Sequence, residues 1–130
     1  MMSTPAAQLL REAERILDGA TGPGSGNSAR LAAFVARQAV EAVVDERLKT
    51  VEAECPGASM RSRLAILKSL DDGDRAAQIE FVWNQLSASC HHHAYELAPT
   101  VVEVRMLCDG VARLSSKPTG EKMQLVATNE

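Results

Sequence analysis

Aromatic side chains are scarce in this chain: one Trp, one Tyr and two Phe, 3% of 130 residues. Sheets draw on β-branched and aromatic residues, so a composition rich in Ala, Leu, Val, Arg and Glu favours helices packed through small aliphatic side chains. Cysteine is also sparse. Cys55, Cys90 and Cys108 are odd in number and show no CxxC spacing, which argues against a disulfide framework or a structural zinc site and fits a reducing cytoplasm. Apolar runs are short. Glu41 interrupts even the stretch from Ala39 to Val44, far below the ~20 apolar residues that span a bilayer, so no membrane segment is expected. The opening Met1-Met2-Ser3-Thr4-Pro5 has no basic stretch followed by a hydrophobic one and does not read as a secretory signal. Positive charge is not in excess. The formal net charge is −3, which disfavours indiscriminate nucleic-acid binding yet leaves room for a local basic patch. The hydrophobic fraction, 45%, is that of an ordinary globular domain and excludes full disorder.

The pattern predicts an all-α, four- to five-helix up-and-down bundle over residues 1–114, with a mobile or weakly docked tail over 115–130. Helix one spans Pro5 to Asp18, with Thr4 as cap and Pro5 in the first turn. Its inward residues are Leu9, Leu10, Ala13, Ile16 and Leu17. The glycine-rich stretch from Gly19 to Asn27 is a linker, because it follows no strand and lacks the GK[ST] ending of a phosphate-binding loop. Helix two spans Ala29 to Ala53 with Ser28 as cap. Leu31, Phe34, Val35, Ala39, Ala42 and Val43 form an apolar face that Ala32, Ala36 and Val40 widen. A face so wide implies a central helix, or one shared with a partner in a homodimer. Helix three spans Ser59 to Leu70, with Leu64, Leu67 and Leu70 inward. Asp74 is the expected cap of helix four, from Arg75 to Leu97. Thr100 and Glu103 form a capping box for helix five.

Helix four carries the candidate chemistry. At about 100° per residue, Ile79, Val82, Trp83, Leu86, Cys90, His93 and Leu97 form a core stripe. Gln85, Ser89, His92 and Glu96 form a solvated flank. Glu80, Asn84, Ser87, His91 and Tyr95 line up on the other side. His91, His92 and His93 therefore point three ways and cannot jointly hold one metal ion. His93 reads as a core histidine, and His92 with Glu96 as a surface pair. His91 beside Asn84 and Tyr95 is the site candidate. An imidazole titrates near neutrality, an amide can donate to a phosphate or carbonyl oxygen, and a phenol can orient the ring. The alternative is a helix flank buried against a neighbour, with its polar atoms satisfied internally.

Two segments resemble the HEPN family. Ala36-Arg37-Gln38-Ala39-Val40-Glu41-Ala42-Val43 is similar to its long second helix, and Asn84-Gln85-Leu86-Ser87-Ala88-Ser89-Cys90-His91 resembles its motif helix. The resemblance implies a dimerising bundle, and in many members a metal-independent ribonuclease of toxin–antitoxin or phage-defence systems, sometimes paired with a nucleotidyltransferase-type antitoxin. The family motif is an arginine, four to six residues, then a histidine. His91 matches the histidine, whereas Asn84 stands in the arginine position, and no arginine occurs between Arg75 and Arg105. A neutral amide lacks the charged, bidentate contact to phosphate that arginine makes. Three expectations follow. The first is a HEPN-like protein that acts mainly by binding a protein partner or RNA, with no cofactor and little or no catalysis. The second is a ribonuclease in which His91, Asn84 and Tyr95 act with Arg37 as substitute cation, supported by Glu41, Glu80 and Ser87. The third is a purely structural or adaptor bundle.

Overall fold

A computed structural model describes residues 5–20, 22, 24–91 and 98–116. It contains five helices and, among the described residues, no strand: α1 (Pro5–Asp18), α2 (Ser25–Thr50), α3 (Met60–Leu70), α4 (Gly73–Cys90) and α5 (Val101–Ser116). The bundle is organised around α2, which packs against all four other helices. α1 also meets α5, and α4 lies between α3 and α5.

Alanines explain this central role. Ala29, Ala32, Ala33, Ala36 and Ala39 are fully buried along α2, followed by Val40, Val43, Val44 and Leu48. Small side chains let neighbouring helices approach closely, so the inward face centres on them. The alanine and valine part of the wide face predicted for helix two is consequently consumed within the protomer. Leu31 and Phe34, expected inside, are 52% and 48% exposed. Leu70, expected inward at the end of α3, is also exposed.

The helix ends show local chemistry at work. α1 has the predicted bounds; its proposed cap Thr4 lies outside the described residues. α2 starts earlier than expected and uses no Ser28 cap. Gly24, with φ 92°, turns the chain in a left-handed conformation that glycine adopts without steric cost. Ser59 caps α3 by accepting from the Ser62 N–H at 3.1 Å. At the next turn each aspartate has a separate task. Asp71 pairs with Arg47 of α2. Asp72, rather than Asp74, caps α4, accepting from the Asp74 N–H at 3.0 Å. Asp74 adds negative charge to the first turn, where the helix dipole favours it. The predicted capping box of α5 is present: Thr100 N–H donates to Glu103 at 3.0 Å, and Glu103 N–H donates to the Thr100 hydroxyl at 3.0 Å. α5 continues past Leu114 to Ser116, and residues 117–130 of the expected tail lie outside the described residues.

The C-terminus of α2 stops short of Ala53 in a Schellman motif. Ala53 N–H donates to the Leu48 carbonyl at 2.8 Å and Glu52 N–H to that of Lys49 at 3.0 Å. This geometry places Glu52 at φ 57°, where a Cβ costs about 1 kcal/mol or more. Glu52→Gly is therefore expected to stabilise the fold by about 1 kcal/mol, read as a rise of a few degrees in thermal midpoint. An unchanged or lower midpoint would contradict the motif.

Ion pairs cross-brace the bundle. Arg105 of α5 holds Glu14 at 2.6 Å and Asp18 at 3.1 Å on α1. Lys68 of α3 pairs with Glu80 of α4 at 2.5 Å.

Candidate functional site

The core stripe of α4 follows the sequence pattern. Ile79, Val82 and Leu86 are buried, and Trp83 and Cys90 are half-buried against them. The polar ridge does not continue as predicted. Glu80, Asn84 and Ser87 keep their helical register, but α4 ends at Cys90 and not at Leu97. His91 takes an extended backbone, φ −71° and ψ 143°, so it leaves the ridge one turn after Ser87. Tyr95, His92, His93, Glu96 and Leu97 lie outside the described residues. The termination has a local cause. From Ser87 to His93 every residue except Ala88 is a middling or weak helix former.

The supporting residues separate into two groups. Arg37 of α2 reaches α4, with its guanidinium carbon 4.6 Å from the centre of the Trp83 ring, a cation–π distance. The same guanidinium hydrogen-bonds the Cys90 sulfur. Burial pushes that thiol up, while the Arg37 charge and hydrogen bond pull it back in part. Arg37, Trp83 and Cys90 thus form one cluster at the α2–α4 seam. Glu41 is half-buried on α2. Glu80 is engaged by Lys68 at the other end of α4. Asn84 is exposed and Ser87 half-buried.

The cysteines form no disulfide. Cys108, on the inner face of α5, has its thiol pushed up to about 12 by burial and by the Glu14 and Asp109 carboxylates, against the opposing charge of Arg105. A thiol held neutral in the fold but free to ionise in the unfolded chain favours unfolding at high pH. Stability is fully present below pH 9 and falls as pH rises towards 12, with a limiting slope of about 1.4 kcal/mol per pH unit. Urea titrations of Cys108→Ala across that window should show a shallower decline than the parent protein; parallel curves would refute the assignment.

A second feature was not expected. α4 and α5 enclose an open groove of about 990 Å³, lined by Phe81, Val82, Gln85, Met106, Leu107 and Gly110, among others. Phe81 is 60% exposed and Met106 66% exposed. The sequence held a signal for it: Phe81 falls opposite the core stripe of α4, a costly place for one of four aromatic residues unless something covers it.

Among the described residues, no three His, Cys, Asp or Glu side chains come together to hold a metal ion, and no helix is long and apolar enough to cross a membrane. Comparison of the chain with protein-family models, curated proteins and solved structures gives no match.

Proposed function

We propose that this chain is a HEPN-like helical bundle that works by binding and does not cleave RNA. The observation that carries the reading is the open α4–α5 groove with Phe81 and Met106 on its rim. Apolar side chains gathered in a cleft are what a protein partner's helix or loop would cover. Two further points support binding over catalysis. Asn84 supplies no charge where the family motif has arginine, and the extended His91 no longer shares a helical face with it. The role is then regulatory, in a toxin–antitoxin, phage-defence or phage-encoded setting. A nucleotidyltransferase-type protein is one partner class that the family resemblance implies.

The ribonuclease reading has one observation in its favour. Arg37 hydrogen-bonds Cys90, the residue that precedes His91, so a cation from α2 reaches the end of α4 from which the candidate base departs. The two readings diverge in one assay. Single-stranded RNA incubated with the full chain in a metal chelator should remain intact for the parent protein and for His91→Ala and Arg37→Ala alike. Robust cleavage that both variants lose would replace the binding reading with the catalytic one.

A further inference from the structure

The α4–α5 groove reaches the end of the last helix. Leu114 lines it, and α5 stops at Ser116. The floor is apolar, with Val82 and Leu114 buried, while Phe81 and Met106 stand exposed on the rim. The α4 wall adds two exposed amides, Gln78 and Gln85, two helical turns apart and so on one side of α4. Each amide offers both donors and an acceptor. An apolar floor flanked by such groups suits an extended chain, whose backbone N–H and C=O groups lack internal partners. A docking helix has already satisfied most of its own.

The sequence after Ser116 contains a chain of this kind. Pro118 has no N–H with which to extend the helix, and Pro118-Thr119-Gly120 is turn chemistry. Met123, Leu125 and Val126 follow close together, and they are the only large apolar residues after Leu114. The lengths agree. Met106 lies about 12 Å back along α5 from Leu114, at the rise of an α-helix. With the chain reversed at Gly120, the stretch to Leu125 covers about 16 Å when extended. That carries the apolar cluster from the end of α5 to the level of Met106. So short a tether also holds the segment at a local concentration on the order of millimolar. At micromolar protein it outcompetes a free partner of equal intrinsic affinity.

We infer that the groove is the seat of the chain's own residues 121–127, which turn back after Gly120 and lie extended along α5 in the reverse direction. Their apolar side chains cover Val82 and Leu107 and remove Phe81 and Met106 from water. The inference rests on the reading of the groove as a binding face and adds its regulation: the segment shields that face until a partner displaces it.

Nuclear Overhauser contacts in the full chain are the first test. The Met106 Cε methyl should show cross-peaks to the methyls of Leu125 and Val126, unchanged on dilution. In a mixture of isotope-labelled and unlabelled chains, a filtered spectrum should lack them, because the contact is within one chain. The second test is the apolar dye anilinonaphthalene sulfonate. Leu125→Ser with Val126→Ser lies beyond the helices and should leave their circular dichroism unchanged. It should lower the dissociation constant of the dye about fivefold or more, since an occluded site binds in proportion to its open fraction. Adding Met106→Glu should remove that gain, which assigns the dye to the groove. Three results would each overturn the proposal: no contact between Met106 and the segment, contacts only between labelled and unlabelled chains, or a dye affinity that the double substitution leaves unchanged. An empty groove in a chain that spares RNA would remove this seat and keep the binding reading. Intrachain contacts in a chain with His91-dependent cleavage would keep the seat and remove the binding reading.

Discussion

Replacing Asp71 with alanine should cost about 3 kcal/mol of folding stability, the range for breaking a well-formed, largely desolvated ion pair from one side. Arg47, near the end of α2, donates from Nε to one Asp71 oxygen at 3.0 Å and from Nη2 to the other at 3.1 Å. The side chains are only 14% and 5% exposed. This is a bidentate pair in which both partners have given up most of their water, and it fastens the central helix to the turn between α3 and α4. Without the carboxylate, the guanidinium remains in a site that water reaches poorly. Arg47→Ala and the double variant complete a thermodynamic cycle in urea. The coupling should be about 2 kcal/mol, well above the fraction of a kcal/mol typical of exposed pairs. A total loss below 1 kcal/mol for Asp71→Ala would mean that the pair is more hydrated than its burial implies.

The second large effect is at the centre of α4. Leu86 is fully buried, and Leu86→Ala removes its branched side chain from a packed site, with an expected cost of about 3 kcal/mol from lost transfer energy plus the cavity left behind. Asn84→Ala, two positions earlier and exposed, should stay within about 0.5 kcal/mol of the parent. The contrast checks the helical register directly. Comparable losses at both positions in urea unfolding would show that α4 is rotated from the orientation described.

Helical register and one cap are legible in the sequence because they depend on neighbours a few residues away. The bounds of α1, the Thr100–Glu103 capping box, and the stripe of Ile79, Val82 and Leu86 follow from spacing and side-chain chemistry alone. Features that depend on what packs where were harder to read. Leu31 and Phe34 are apolar and correctly spaced for a core face, yet alanines hold the inner side of α2, because close helix approach rewards small volume over hydrophobicity. The start of α2 carries no polar cap, because a left-handed glycine, Gly24, turns the chain there. The sequence pattern carries α4 to Leu97, whereas the helix ends at Cys90. Pro99 is a conspicuous stop signal, whereas the cumulative weakness of Ser87 to His93 as helix formers is a diffuse one. The groove is a relation between two helices and appears in neither one taken alone. The outward-facing Phe81 is its one trace in the sequence.

His91 is where the helical-ridge expectation and the structure part company, and the case for binding over catalysis depends on it. Backbone Cα secondary chemical shifts through α4 of the full chain measure the point directly. The structure predicts helical shifts through Leu86 and Ser87 that decay by Cys90, and an extended shift at His91. Continuous helical shifts running through His91 would return that imidazole to the same face as Asn84 and contradict the account.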